Sequence, residues 1–357
     1  MVEDIIRLAA ALDHEGMIGF TQAFVDDIKS GQEAIRPELH PWLGQINNKW
    51  SGVLFLGMGG SGAGGDYISI LADREGTIPV RVNKGYDLPK WWDNSWLVVA
   101  SSYSGNTEET LSSTEQALKQ NGTIIVISSG GILAGLCEIN ENAHLISCPG
   151  GQPPRTAFGH LFSRQLALLV KLGVLPNLLD ENALMRLSTA CEDNDIIRHP
   201  EGDVASLALN LTNSPIAILG PSELSPSITR FKNQLNENSA RFARIGTMPE
   251  MNHNEVVAWG GVGEDQDPQA KNQALVMMSW DGMHPRVSQR MDWFVSNCPT
   301  ENAWKIHGEG NSLCEVLMHQ CIMMDWLSIA LALLHGKDPS SIDPIISLKD
   351  HLEQITQ

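Results

Sequence analysis

Three observations predict an α/β protein built on parallel sheets. Short, apolar, β-prone runs alternate with helical runs of ten or so residues. The loops between them are rich in glycine and hydroxyl residues, and the alternation breaks off over an all-helical stretch and then resumes. Strand–helix–strand units of this kind form parallel sheets, with ligands bound in the loops at the carboxyl ends of the strands.

In chain order, Ser51–Leu56 is the first strand and runs into a glycine cluster at 57–65, with Asp66–Ala72 as the helix beyond it. Ile78–Val82 and Trp96–Ser101 are the next strands. Residues 102–107 form a second loop, followed by a helix over Glu108–Gln120. Asn121-Gly122 is a turn, Thr123–Ser128 a strand, and His144–Cys148 a further strand before Pro149. Ala157–Leu172, Ala183–Ile197 and Val204–Leu211 read as helices with no Gly/Ser-rich linker between them. Pro215–Leu219 restarts the alternation, with a helix over Ser227–Phe242, strands at Ala274–Ser279 and Ala303–His307, and helices over Val287–Ser296, Ser312–Leu334 and Ser341–Gln354. Phe55-Leu56-Gly57 and Ile218-Leu219-Gly220 occupy equivalent places, which suggests a weak duplication in which only the first copy keeps the glycine cluster.

The 357 residues suggest two domains. Lys+Arg 24 against Asp+Glu 42 gives a net charge of −18 and no basic run, which argues against nucleic-acid binding and against long-range steering of an anionic substrate. No apolar run approaches the roughly 20 residues of a membrane span, and the N-terminus does not read as a signal peptide. The six cysteines form no CxxC pair and read as small hydrophobes in a reducing cytoplasm. The Met-rich helix at 312–334 reads as core.

Gly57-Met58-Gly59-Gly60-Ser61-Gly62 matches GxGxxG between strand and helix. A dinucleotide site also needs a carboxylate at the end of the next strand to hold the ribose, and Arg81-Val82-Asn83-Lys84 stand there instead. What survives is an anion site made of backbone N–H groups at a helix N-terminus. Six glycines in nine positions exceed what a tight turn needs. In the second loop Ser102, Ser104 and Thr107 can direct hydroxyls to one point beside a helix N-terminus, enough to hold a phosphate without a metal. Helix capping by Ser104 or Asn106 accounts for part of that pattern.

Gly59-Gly60-Ser61-Gly62 followed by Ser102-Tyr103-Ser104-Gly105-Asn106-Thr107 resembles the sugar isomerase (SIS) domain family. Pro153-Pro154-Arg155-Thr156-Ala157-Phe158-Gly159, Asn236-Glu237-Asn238 and the run from Met248 through His253 to Glu255 narrow the resemblance to bifunctional phosphoglucose/phosphomannose isomerases. That resemblance implies two SIS domains in tandem, each a flavodoxin-like three-layer sandwich: residues 1–160 with the phosphate loops, a helical connector at 161–213, and 214–357 with the base and the C-terminal helices. It implies isomerisation of hexose 6-phosphates in the cytoplasm, without cofactor or metal, by a homodimer with shared active sites.

Such chemistry needs ring opening and then proton transfer between C2 and C1 through a cis-enediol, with one carboxylate serving both carbons. The resemblance makes Glu237 that base, His253 the group at the ring oxygen, contributed by a neighbouring subunit, and Lys349 its assistant. By the same resemblance Arg155 is expected to stabilise the enediolate. Gly59, Gly60, Ser61, Ser102, Ser104 and Thr107 hold the phosphate, with Lys84 as a further local cation. Local pattern alone reads these residues otherwise. Glu237 sits in a polar stripe with Arg230, Gln234 and Arg241, opposite an apolar stripe of Ile228, Phe231, Leu235 and Phe242, and forms an i,i+4 pair with Arg241. His253 reads as a surface-loop histidine, Arg155 as a carboxylate's partner, and Lys349 as a solvated helix lysine. A non-catalytic sugar-phosphate sensor would need the serine loop but not Glu237 or His253. A metal-dependent isomerase would need a histidine cluster, and neither HxH nor HExxH occurs.

Overall fold

The computed structural model describes residues 2–46 and 49–355. Helices α1 (Val2–Leu12), α2 (Met17–Gln22) and α3 (Phe24–Glu33) precede the first strand. Then come β1 (Gly52–Leu56), α4 (Gly59–Glu75), β2 (Val80–Asn83), β3 (Trp96–Ser101), α5 (Glu108–Lys119), β4 (Ile124–Ser128), α6 (Gly131–Ile139) and β5 (Ala143–Ser147). Helices α7 (Phe158–Lys171), α8 (Glu181–Asp193) and α9 (Asp203–Leu211) follow. The second alternation is β6 (Ile216–Pro221), α10 (Ser225–Ser239), β7 (Ala243–Met248), α11 (Val256–Trp259), β8 (Ala274–Ser279), α12 (Pro285–Asn297) and β9 (Ala303–His307). Helices α13 (Leu313–Leu334) and α14 (Asp343–Ile355) close it.

The chain divides into two compact units. The first comprises 23–188 with 310–315, and the second 1–22, 189–309 and 316–357. The expected division placed 1–22 with the first sheet and 161–213 as a separate connector. In the structure α7 belongs to the first unit, and α1 and α2 belong to the second.

The first unit is built on a five-stranded parallel sheet of order β2-β1-β3-β4-β5. Its central strands β1, β3 and β4 are buried on both faces, which is why they read as continuous apolar runs rather than alternating ones. One face packs Leu54, Leu56, Val98, Ala100, Ile124 and Val126 against α5 and α6. The opposite face carries α4 and α7, and a Cβ at Gly65 of α4 would lie 2.9 Å from that of Phe55. This is the expected three-layer sandwich. The strand order reverses between β1 and β3, so the crevice at their carboxyl ends is where such a sheet binds ligands.

The second unit has a four-stranded parallel sheet of order β7-β6-β8-β9. Leu219, Leu275 and Met277 pack on Trp259, Met291 and Phe294 from the α11 and α12 side. Ile228 of α10 lies against Gly220 on β6, and Gln320 of α13 donates to the Ser279 carbonyl at the end of β8. Helix α13 is long and apolar enough to cross a membrane by composition, yet 94% of its apolar window is buried inside the fold. It is a core helix, as expected.

Several elements differ from the sequence reading. Helices α1–α3 and α6 and strand β7 had no expected counterpart. Helix α4 begins at Gly59, not Asp66, so most of the glycine cluster is helical. Each helical glycine costs roughly 1 kcal/mol relative to alanine, and here close packing overrides that propensity. Phe242, expected in the apolar stripe of α10, is 94% exposed. Helix α10 ends at Ser239, and Ala240 adopts a left-handed φ of 52°. That turns Phe242 out of the helical register.

Candidate active site

Two of the chain's glycine-cluster positions define the entry to α4. Gly59 is left-handed at φ 51°, and a Cβ there would meet nothing within 4 Å. Gly60 is different: its Cβ would lie 2.9 Å from the Pro154 carbonyl oxygen and 3.2 Å from the Arg155 backbone. A side chain at 60 would push away the loop that carries Arg155. Positions 57, 62, 64 and 65 are also crowded, by Ser101, Gly57, Gln165 and Phe55. The excess of glycines is therefore mostly a packing requirement, a simpler reason than the ligand it suggested. Met58, the N-cap, is extended and makes no side-chain cap hydrogen bond to the first N–H groups of α4. This is the arrangement that attracts an anion.

The serine loop stands beside it at the end of β3. Ser102 is fully buried; its Oγ lies 2.8 Å from Thr107 Oγ1 and accepts from the Gly105 N–H at 3.1 Å. Ser104 is exposed, and its Oγ accepts from the Asn106 N–H at 3.3 Å. Thr107 is the N-cap of α5 but makes no side-chain cap hydrogen bond. The expected capping by Ser104 or Asn106 does not occur. Asn106 Oδ1 instead accepts from the Ile132 N–H at 3.0 Å and fastens the loop to α6. Gly105, at φ 72°, is required: a Cβ there would lie 1.8 Å from the Gly130 carbonyl oxygen.

Tyr103, a residue the sequence reading passed over, joins three loops. Its N–H donates to Ser61 Oγ at 3.0 Å, tying the serine loop to α4. Its phenolic oxygen accepts from the Gln152 N–H at 3.1 Å, in the loop after β5. Ser129 Oγ donates to its carbonyl at 2.6 Å. Burial raises its phenol above the usual range. Ser61 is buried and its oxygen already serves this N–H, so it acts first as a fastener of the cradle.

Arg155 is only 4% exposed. Its turn is held by Thr156, whose N–H and Oγ both donate to the Pro153 carbonyl, and by Gln152 Nε2, which donates to Asp27 Oδ2 at 3.2 Å. Asp27 of α3 in turn lies 3.1 Å from His160 Nε2 on α7. Arg164 donates to the carbonyls of Ser147 and His160, and its burial lowers its pKa. This buried layer under the loops could not be found from sequence, because Asp27 lies more than a hundred positions from Gln152 and His160. The sequence signal that does exist is Gly159, where a Cβ would meet the Phe24 carbonyl at 2.9 Å and Asp27 Cβ at 3.0 Å. It lets α3 and α7 touch. Lys84, expected as a local cation for the phosphate, is paired with Asp66 of α4.

The remaining candidates belong to the second unit. Glu237 is half-buried near the C-terminus of α10. The expected polar stripe is in fact an inward one. Arg230 makes a bidentate pair with Asp325 of α13, Gln234 Nε2 donates to the same carboxylate at 2.7 Å, and Asn238 Nδ2 donates to Ser328 Oγ at 2.9 Å. Lys337 Nζ donates to the Glu237 carbonyl at 3.0 Å and caps the end of the helix. Arg241 lies beyond the last helical turn, where its guanidinium donates to the Thr212 and Ser214 carbonyls, so it is not the helical i,i+4 neighbour expected for Glu237. His253 is exposed on the short helical turn Glu250–His253, and Lys349 is exposed on α14, a helix with no buried residue. Among the described residues no group of three or more His, Cys, Asp or Glu side chains is placed to hold a metal ion.

Residues 201–352 match the bacterial phospho-glucose isomerase C-terminal SIS domain. The chain is 34% identical over 310 residues to a bifunctional phosphoglucose/phosphomannose isomerase of Caldicellulosiruptor bescii, covering 85% of this chain and 90% of that one. It is 33% identical to the Aquifex aeolicus protein of the same name, over 85% of this chain and 91% of that one. Among solved structures it superposes on tagatose-6-phosphate ketose/aldose isomerase of Escherichia coli with a TM-score of 0.68 at 16% identity, covering 94% of this chain and 97% of that one. At that identity the likeness concerns the fold.

Proposed function

Because the chain belongs to the bifunctional phosphoglucose/phosphomannose isomerase family, we propose that the cradle formed by the ends of β1, β3 and β5 grips the phosphate of its substrate while Glu237 moves the proton. The activity is aldose–ketose isomerisation of hexose 6-phosphates. The observation that carries the phosphate reading is the serine loop: a hydroxyl pair, buried Ser102 and half-buried Thr107, 2.8 Å apart at an uncapped helix N-terminus and locked there through Tyr103. Ser104, exposed on the same loop, supplies the outward hydroxyl, and the first N–H groups of α4 at Gly59, Gly60 and Ser61 supply further donors.

The proposed reaction starts on the cyclic sugar. His253, assisted by Lys349, exchanges a proton with the ring oxygen and opens the ring. Glu237 takes the proton from C2 and delivers it to C1, while the proton of the C2 hydroxyl passes to O1. Negative charge develops on the enediol oxygens in between. A guanidinium held in a buried turn, as Arg155 is, opposes that charge without first reorganising water. Glucose and mannose 6-phosphates differ at C2 only, and that difference vanishes in the planar enediol, so one base can serve both. None of these steps calls for a cofactor.

Purified protein incubated with fructose 6-phosphate in EDTA should form both glucose and mannose 6-phosphates. Glu237→Gln should bind substrate yet lose turnover; retained turnover removes Glu237 from the mechanism. His253→Ala should slow cyclic substrates more than open-chain ones, and equal loss on both contradicts ring opening. A homodimer with shared sites is part of the same proposal. If His253 serves the neighbouring subunit, mixing the Glu237→Gln and His253→Ala chains restores activity that neither has alone. Six free cysteines, four of them buried, support a reducing compartment such as the cytoplasm.

A further inference from the structure

We propose that the second unit carries a separate binding pocket for an organic phosphate with a planar ring, of nucleotide size, on the outer face of α12. A cavity of about 370 Å³ is lined there by Asn252, Val256, Arg286, Gln289, Arg290 and Trp293. That volume lies within the range of small-ligand sites. It shares no residue with the cradle or with the proposed proton-transfer groups, although Asn252 is the chain neighbour of His253.

The charge arrangement is what demands explanation. Arg286 and Arg290 stand four residues apart, on one face of a helix, where two like charges cost roughly 0.2–0.5 kcal/mol. The chain holds 42 Asp and Glu against 24 Lys and Arg, yet neither arginine has a carboxylate within ion-pair distance among the described residues. Among the described residues the Arg286 guanidinium donates only to Gln289 Oε1, at 2.9 Å, across the same cavity lining. Two unpaired forks one turn apart match the geometry of a phosphate, which accepts from both.

Two further features extend the site beyond an ion. Trp293, one turn on from Arg290, is half-exposed at the cavity wall, a costly place for an indole unless a flat partner covers it. Asn252 and Gln289 add amide side chains to the lining, groups that can meet the polar edge of a ring. Guanidinium pair, indole and amides together describe phosphate at one end, ring at the other, and polar edges between.

The test uses the whole protein with saturating fructose 6-phosphate present, so that the catalytic cradle is occupied, and measures ADP binding by calorimetry with inorganic phosphate and adenosine as separate arms. One ADP per chain is expected, bound more tightly than either fragment. Arg286→Gln with Arg290→Gln should weaken ADP at least about tenfold, the loss expected for a charge-assisted hydrogen bond. Its turnover and melting temperature should stay at the wild-type level, since both side chains are exposed. Trp293→Ala should weaken ADP and adenosine and leave inorganic phosphate unchanged. The proposal is overturned if ADP does not bind, if the double variant binds it as well as wild type, or if phosphate alone binds as tightly as ADP. Turnover on the same samples reports independently on the catalytic reading.

Discussion

Gly60→Ala tests whether Gly60 is what lets the Arg155 loop approach α4. The added Cβ would lie 2.9 Å from the Pro154 carbonyl oxygen and 3.2 Å from Arg155 N and Cα. These are backbone atoms and cannot rotate aside. Reaching an ordinary contact of 3.4 Å requires a shift of about 0.5 Å, from 3.4 minus 2.9. Overpacking of this kind costs about 1–3 kcal/mol, and alanine returns roughly 1 kcal/mol of helix propensity, so net stability changes by about 0–2 kcal/mol. The melting temperature should fall by only a few degrees. Catalysis should suffer more, because a misplacement of about 1 Å can cost roughly a hundredfold, and half of that gives about tenfold in kcat/KM. Gly59→Ala is the control. Its Cβ meets nothing within 4 Å but its φ of 51° is strained for alanine, so it should lose stability, about 1–2 kcal/mol, with the Arg155 loop in place. Steady-state turnover of fructose 6-phosphate and a thermal melt on both variants decide the matter. If Gly60→Ala keeps kcat/KM within about twofold of wild type, the close approach at 60 does not position Arg155.

Ser102→Ala should raise KM roughly tenfold, since it removes one of the paired hydroxyls and a partner of the Gly105 N–H; an unchanged KM would leave Ser102 a purely structural residue. Asp325→Asn strips the buried Arg230 of its counter-charge and should cost about 3–5 kcal/mol in denaturant unfolding, whereas a loss below about 1 kcal/mol would mean that Arg230 finds other compensation. Burial holds His144, stacked on Trp42 at 4.6 Å, below the ordinary histidine value, and acts in the same direction on His40 and His335. The unfolded chain therefore binds more protons as pH drops below about 6.5, and stability present above that pH declines. His144→Gln should flatten this decline between pH 7 and 5, and an unaltered slope would acquit His144. Burial pushes the Cys137 and Cys148 thiols up to about 11 and Cys191 to about 12, so a thiol reagent at pH 8 should leave these three unmodified until the protein is unfolded. Rapid labelling of any of them in the native state would contradict that burial.

The strands were plain in the sequence because the central ones are buried on both faces, and continuous apolar runs such as 52–56 and 274–279 leave little else for them to be. Edge strand β7 escaped notice for the opposite reason: apart from Met248 its residues are partly buried or exposed, and the pattern carries no hydrophobic period. Helix α4 starts seven residues before the sequence reading places it because propensity counts glycine against a helix, while the packing that compensates comes from Pro154, Arg155 and Gln165, which are remote in the chain. Ser102, Ser104 and Thr107 were visible because hydroxyls clustered before a helix are a local pattern.

Local order along the chain settled the α/β class, the two alternations, the glycine and serine loops and the family resemblance, because each depends on residues within a few positions of one another. Tertiary structure alone decided that Tyr103 binds three loops together, that Asp27 and His160 underlie the Arg155 turn, that Lys84 is taken up by Asp66, and that α10 turns its polar stripe inward onto Asp325. Those outcomes turn on which remote groups meet in a low-dielectric interior, where an unmet charge or N–H is expensive. No periodicity along the chain records that meeting.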